Sequence, residues 1–341
     1  MSDLPLDALS AWCDTHVRDF RGPVTATKFK GGQSNPTYRL DAASGTYVLR
    51  RKPFGQLLPG AHAVDREFRV LSALHGHGVP VAKPLALCTD ESVIGAVFYV
   101  MAHVDGRIFW DPSLPDIGAD QRAAYYDEIT RVLAALHDID VGAVGLGDFG
   151  KPGSYFERQI ATWSKQYRAS ETHRIDAMET LIERLPARCP QDDGRVALVH
   201  GDFRIDNLIW HPVEPRILAI VDWELATLGH PLADLGYFCM ALRLPRNPAL
   251  PGLAGLDRVA LGIPDEAGLI ERYQHQGHRS SIGDWPFVLA FAFFRLAAIA
   301  QGVAKRAQQG NASNERAAEA GAMTALLANM GADALAQTGS S

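Results

Sequence analysis

The chain is poor in several things that would have pointed elsewhere. Its four cysteines, Cys13, Cys88, Cys189 and Cys239, are scattered over 341 residues. They have neither the spacing of a metal-binding motif nor the density of a disulfide framework, so a reducing, cytoplasmic setting is expected. Twelve histidines include no HExxH pattern. Basic residues are in deficit, 33 Lys and Arg against 39 Asp and Glu, for a formal charge of −6. The positive footprint of a nucleic-acid binder is therefore missing, and no such partner is expected. The N-terminal MSDLPLDALSAWCDTHV carries Asp3 and Asp7 where a secretory leader needs Lys or Arg. The apolar segment 286–305, PFVLAFAFFRLAAIAQGVAK, is broken by Arg295 and Gln301. Uninterrupted runs there fall short of the roughly 20 residues a bilayer span needs, so a central core helix and no membrane partner are expected. There is no Walker A motif, no clean protein-kinase glycine loop and no internal repeat. GLGDFG at 145–150 has GxGxxG spacing, but KPG follows it where a strand-to-helix passage is required.

What is present falls into two differently built parts. From about 25 to 104, the runs VTATKF, TYRL, GTYVLR and SVIGAVFYVM alternate as strands, with one helix predicted at 62–75. From about 118, helical periodicity dominates, at 120–137, 154–170, 172–185 and several times after 265. The expected organisation is an α+β chain with an N-terminal lobe at 1–104 and a C-terminal lobe at 105–341. DGRIF is the expected hinge, and the tail past 331 is expected to fray.

A β-rich insert at 195–224 interrupts the helices and carries the densest chemistry. The apolar run ALV is followed by HGDFRIDN, then by the predicted strand NLIW, the turn HPVEP and a strand RILAIVDW. Asp202 falls in the loop leaving the first strand, Asn207 opens the second, and Asp222 closes the third. Antiparallel pairing of the last two brings Asn207 near Asp222. Phosphoryl transfer to a hydroxyl needs a carboxylate to orient the hydroxyl and take its proton. It also needs oxygen ligands that hold Mg²⁺ against the phosphates. DxxxxN followed by D supplies these in order.

HGDFRIDNLIW and VDWELATLGHPLADLGYF resemble the aminoglycoside phosphotransferase and choline kinase group of kinase-like enzymes. Within it, the chain is most similar to phosphotransferases associated with acyl-CoA dehydrogenases. The resemblance, over roughly 25–300, implies a two-lobed protein-kinase-like fold, with a small antiparallel-sheet lobe carrying one helix and a larger, mainly helical lobe. It implies ATP and Mg²⁺ as cofactors, Asp202 as catalytic base, Asn207 and Asp222 as catalytic metal ligands, a loop-supporting His200 and a structural Asp234. Gly201 stands where protein kinases carry Arg in HRD, so dependence on activation-loop phosphorylation is not expected.

The rest of an ATP site can be sought residue by residue. KFKGGQSNPTYRL places Gly31, Gly32, Ser34 and Asn35 between two strands, where backbone N–H groups can approach phosphate. Val48, Arg50 and Lys52 share one face of the strand GTYVLRRKP. On the helix HAVDREFRVLSAL, Glu67 lies within the apolar stripe Val64, Phe68, Leu71 and Leu74, where a carboxylate needs a cation. Arg50 is the expected partner, which leaves open whether Arg50 or Lys52 reaches the phosphates. The resemblance aligns Arg50 with the usual kinase Lys, and places adenine against the backbone of Ala102 and Val104 with Met101 packed nearby.

Segment 147–170 carries Tyr155, Gln159, Trp163 and Tyr167 along one helical face, a pattern more often core than pocket. Lys151, Arg158, Lys165, Arg168 and Arg174 outnumber Glu157 and Glu171, which suits an anionic acceptor better than a polycation. The expected activity is an ATP-dependent kinase for a small-molecule hydroxyl such as a hydroxyacyl-CoA or hydroxy acid, in functional association with an acyl-CoA dehydrogenase. The alternatives are an aminoglycoside or choline-type kinase, an ATP-binding pseudokinase scaffold, and a metal-dependent hydrolase using His200, Asp202 and Asp222.

Overall fold

Strands form where β-branched and aromatic residues alternate. In the computed structural model β1 (Val24–Lys28), β2 (Thr37–Ala42), β3 (Gly45–Arg51), β4 (Pro84–Cys88) and β5 (Phe98–Ala102) make one antiparallel sheet, ordered β1-β2-β3-β5-β4. The structure describes residues 4–29, 35–54, 62–151, 153–247, 250–277, 281–308 and 323–337. Register aligns Tyr38, Leu49 and Val100 in one row across β2, β3 and β5. That face is covered by α1 (Leu6–His16), whose Leu9 and Cys13 are fully buried in a cluster with Leu40, Leu49, Phe98 and Val100. The next row, Thr37, Arg50 and Tyr99, points to the opposite face by strand alternation, toward α2 (Val64–Leu74).

Three details depart from the sequence expectations. Neither α1 nor β4 was expected. The run SVIGAVFYVM is extended only from Phe98, because Gly95 takes φ 82 and Asp90 Oδ1 accepts the Ser92 amide at 2.9 Å, closing a turn. DGRIF contains the break between two compact units, after Arg107, and its first part is pinned within the first of them. Arg107 and Trp210 exchange two backbone hydrogen bonds of 2.9 and 2.8 Å, and a Cβ on Gly106 would stand 2.5 Å from the Trp210 carbonyl oxygen.

Contacts divide the chain into two compact units. One comprises Met1–Arg107, Val144–Leu146 and Asn207–Leu225, and the other Ile108–Ala143, Gly147–Asp206 and Ala226–Ser341. A linear boundary at 104/105 cannot express this. The hairpin of β7 (Leu208–Trp210) and β8 (Ile217–Ile220) joins the first unit, through Trp210 on Arg107 and through the Ile220 amide, which donates to Pro80 O at 2.9 Å.

The second unit pairs β6 (Ala197–Val199) with β9 (Thr227–Gly229). Its described helices are α3 (Ala119–His137), α4 (Tyr155–Ser170), α5 (Asp176–Arg188), α6 (Leu232–Cys239), α7 (Glu266–Gln276), α8 (Trp285–Gln308) and α9 (Thr324–Ala336). Residues Phe287 to Phe294 of α8 are buried without a break, as a helix apolar on all sides must be. Length and composition alone would let α8 cross a membrane, yet 78% of its apolar window is buried inside the protein, which makes it the core helix expected. The tail does not fray at 331. α9 runs to Ala336, with Ala334 and Leu335 buried, and Arg188 donates to the Leu335 and Gln337 carbonyls.

Candidate active site

HGDFRIDN is shaped from behind by one buried carboxylate. Asp234, in the first turn of α6 and fully buried, accepts the His200 amide at 2.6 Å and the Gly201 amide at 2.8 Å. His137 Nε2 lies 3.3 Å from the same carboxylate. Burial opposes the charge on Asp234, but His137, His200 and the Gly201 amide hold its carboxyl below the usual range. Gly201 turns the chain at φ 85, a conformation that costs glycine little. His200 is itself fully buried, and its Nδ1 accepts the Asp202 amide at 3.1 Å. The loop-supporting part expected of His200 and the structural part expected of Asp234 thus have a concrete geometry.

Two side chains reach Asp202 that the motif did not announce. The Tyr237 hydroxyl donates to its carboxylate, and burial, then the Asp202 charge, push that phenol well above its ordinary value. Arg204 Nε lies 3.3 Å from Asp202 Oδ1, and Arg204 Nη2 donates to Asp206 at 2.9 Å. Asp206 is therefore an ion-pair partner of Arg204. A signal for Tyr237 existed: in PLADLGY it stands three residues after Asp234, one helical turn along the same face. Tyr237 and Arg204, with Trp110, Asp206, Phe238 and Leu244, line a cavity of about 310 Å³ within the second unit. That volume is at the lower end of the usual range for small-molecule sites.

The β7–β8 pairing brings Asn207 and Asp222 to one end of the hairpin. Leu208 faces Ile220, and the Val221 amide donates to Asn207 O at 2.9 Å, one residue before Asp222. Asp222 adopts φ 67, a left-handed conformation that costs a non-glycine residue on the order of 1–2 kcal/mol. Strain of this kind persists where the surroundings impose it.

Arg50 joins this hairpin to α2. Its Nε stands 2.7 Å from Glu67 Oε2, and its Nη2 donates to Asp222 Oδ1 at 2.6 Å, with Glu224 at 3.7 Å. Lys52 instead lies 3.7 Å from Asp65. Glu67, 1% exposed, also accepts Asn35 Nδ2 at 2.6 Å and the Tyr99 hydroxyl at 3.2 Å. Burial pushes its carboxyl up, while Arg50 and Asn35 pull it back. Burial opposes the Arg50 charge too, but Glu67 and Asp222 more than offset it and hold the guanidinium above its usual range.

Asn35 sits differently from the phosphate loop it was expected to join. Its side chain is fully buried, donating to Glu67, and its Oδ1 lies 3.1 Å from His62 Nδ1. Gly31, Gly32 and Ser34 lie outside the described residues. Met101 and Ala102 end β5 and are half-buried, as is Val104. The Ala102 amide is spent on Lys83 O at 2.9 Å, so an adenine edge could meet only its carbonyl and the Val104 amide.

The acceptor-side expectation needs one correction. The basic excess at 150–175 is reduced locally, because Arg168 pairs with Glu171 and Glu179, and Arg174 lies 2.9 Å from Asp176. Tyr155 and Tyr167 of the aromatic stripe are buried, and Trp163 Nε1 donates to Gln159 at 2.9 Å, so the stripe is mostly core.

This geometry can orient a proton acceptor and present hard oxygen donors. Comparison with known proteins gives the family and the fold. Residues 25–291 match the phosphotransferase enzyme family. The chain is 46% identical over 335 residues to acyl-CoA dehydrogenase family member 10 of Mus musculus, covering 97% of this chain. It spans only 31% of that protein and about two fifths of other curated relatives, such as the 40% of family member 11 from the same organism. A solved structure from Ralstonia eutropha, provisionally described as an aminoglycoside phosphotransferase, is 50% identical, with a TM-score of 0.89 over 97% of this chain and 98% of that one. A thermostable mutant aminoglycoside phosphotransferase, solved as a ternary complex with ADP and hygromycin B, shares the fold. It has 14% identity and a TM-score of 0.61, over 97% of this chain and all of the other.

Proposed function

Because the chain belongs to the phosphotransferase enzyme family, we propose that it transfers the γ-phosphoryl group of ATP to the hydroxyl of a hydroxyacyl-CoA or related hydroxy acid. The observation that carries this reading is the ion-pair chain Glu67–Arg50–Asp222, which ends at the hairpin opened by Asn207. A buried, doubly paired guanidinium beside an acidic residue held in strain has no use in a plain surface hairpin.

In this reading Asp202, steadied by Tyr237, orients the acceptor hydroxyl and takes its proton as the new P–O bond forms and the bond from the γ-phosphorus to the β,γ-bridging oxygen breaks, with ADP as the leaving group. The Asn207 amide oxygen and the Asp222 carboxylate are hard oxygen donors, few in number, and fit an ion that takes one or two protein ligands and completes its shell with phosphate and water. Bound Mg²⁺ supplies neutralisation of the phosphate charge. Arg50, fixed by Glu67, turns its remaining donor capacity toward the triphosphate. The Ala102 carbonyl and the Val104 amide hold the adenine edge. The intact Asp202, Asn207 and Asp222 argue against a pseudokinase scaffold, and a simple hydrolase leaves Arg50 and Glu67 unexplained.

The acyl acceptor rests on the relatives named as acyl-CoA dehydrogenase family members, from which a functional association with an acyl-CoA dehydrogenase is also proposed, and the scattered free cysteines support a cytoplasmic setting. The Ralstonia structure's description favours an aminoglycoside instead. An ATP-consumption screen with hydroxyacyl-CoAs, free hydroxy acids, amino alcohols and aminoglycosides separates the two. Turnover with the first two classes is expected, and turnover confined to aminoglycosides or amino alcohols overturns the acyl reading.

A further inference from the structure

The core helix α8 contains a charge that the proposed mechanism does not use. Arg295 interrupts its apolar run and is 5% exposed. Its Nε has no hydrogen-bond partner, and among the described residues no carboxylate pairs with it. Its guanidinium carbon lies 5.5 Å from the ring centroid of Trp163 on α4 and 5.6 Å from that of Tyr237 on α6. Two cation–π contacts offset only part of the desolvation of a guanidinium, and a buried cation ordinarily has an oxyanion against it. Here the described chain supplies none.

Tyr237 links Arg295 to the carboxylate assigned to the acceptor hydroxyl. Its hydroxyl holds Asp202, and the residue also lines the 310 Å³ cavity with Arg204. Arg295 therefore stands one side chain from the carboxylate assigned to the acceptor hydroxyl. An anionic acceptor brought beside Asp202 meets repulsion, which a fixed cation nearby relieves.

We infer that Arg295 is a specificity-determining residue that binds an oxyanion of the acceptor while Asp202 holds its hydroxyl, with Tyr237 as the spacer between them. The inference rests on the phosphotransfer reading above. The oxyanion has two sources, the carboxylate of a free hydroxy acid or a phosphate of a CoA thioester. The test uses the full chain as wild type, Arg295→Met and Arg295→Lys. The probes are 4-hydroxybutyrate, 4-hydroxybutyryl-CoA, the 4-hydroxybutyryl pantetheine thioester without phosphates, and neutral 1,4-butanediol. Calorimetry gives Kd, coupled ATP consumption gives KM and kcat, and thermal unfolding monitors the fold.

Arg295→Met is expected to raise Kd and KM at least tenfold for whichever anionic probe binds, to leave the neutral probes within twofold, and to leave ATP affinity unchanged. Arg295→Lys restores part of the loss. A loss confined to the free acid assigns the carboxylate, and one confined to the CoA thioester assigns the phosphate. Equal losses on neutral and anionic probes, no loss at all, or no binding of either anionic probe to wild type overturns the inference. If Arg295→Met fails to fold, Arg295→Lys decides by the same ratio of anionic to neutral affinity. Should wild type bind an anionic probe without consuming ATP, the phosphotransfer reading fails while calorimetry still decides the role of Arg295.

Discussion

Replacing Arg50 with Met probes the centre of the first unit. Arg50 faces Glu67 at 2.7 Å and Asp222 at 2.6 Å, and the two carboxylates differ in their access to water. The Asp222 side chain is 31% exposed and can be solvated, whereas that of Glu67 is 2% exposed and cannot. Truncation leaves an uncompensated buried carboxylate, at a cost of about 3–5 kcal/mol. That is a large share of the roughly 5–15 kcal/mol that holds a domain together. Adding Glu67→Gln removes the stranded charge while its amide oxygen still accepts from Asn35 or Tyr99. The double variant should therefore recover at least about 2 kcal/mol of the loss.

The pH dependence has a definite sign. Burial raises the Glu67 carboxyl, and without Arg50 nothing of comparable strength lowers it. A carboxyl whose folded value lies above its unfolded one favours folding at low pH, and loses that contribution as pH rises through the folded value. The Arg50→Met deficit should therefore shrink as pH falls from neutrality toward the ordinary carboxylate range, and be smallest once pH is below it. Urea titration at several pH values measures all three quantities. A single-variant loss below about 1 kcal/mol, a double variant no more stable than the single, or a deficit independent of pH would refute the reasoning.

Asp234→Asn turns one acceptor oxygen into a donor facing buried amides of His200 or Gly201. It should cost about 3 kcal/mol in denaturant titration, and less than about 1 kcal/mol would mean that the loop does not depend on this carboxylate. Gly106→Ala places a Cβ 2.5 Å from the Trp210 carbonyl. A loss of about 1–3 kcal/mol is expected, and a neutral result would show that the Arg107–Trp210 pairing gives way easily. Arg246, more than the Ser113 bonds, lowers the Asp111 carboxyl to about 2 against some burial. Its contribution is present above the ordinary carboxylate range and is lost as pH falls toward the folded value. Asp111→Asn should cost under about 1 kcal/mol near neutrality, because the pair is partly exposed, and should flatten stability in the acid limb. An unchanged acid limb would contradict that assignment.

The parts legible in the sequence were those whose signal is local. HGDFRIDN and the alternation of RILAIVDW put Asp202 in a loop and Asn207 and Asp222 at one end of a hairpin, because loop and hairpin are contiguous in the chain. Glu67 stood out as a carboxylate in an apolar helical stripe, and strand alternation put Arg50 on the correct face to meet it. What escaped depended on contacts distant in sequence. The hairpin's place in the first unit rests on Trp210 meeting Arg107 across about a hundred residues, which no linear boundary encodes. Asn35 looked like a phosphate-loop residue because Gly31 and Gly32 precede it, yet its amide is committed to Glu67, 32 positions on. The basic count at 150–175 misled because Glu179 and Asp176, which reduce it, fall just beyond the window.

Phosphoryl transfer to a hydroxyl, as proposed, depends on Asp202 as its base. Its most direct test is Asp202→Asn, with ATP consumption followed in the presence of the acceptor found by the substrate screen. On that basis kcat should fall by about 10²–10⁴-fold, the usual contribution of a positioned general base, while ATP affinity and thermal unfolding stay at wild-type values. Retention of kcat within tenfold of wild type, with the protein folded and ATP bound, would contradict it.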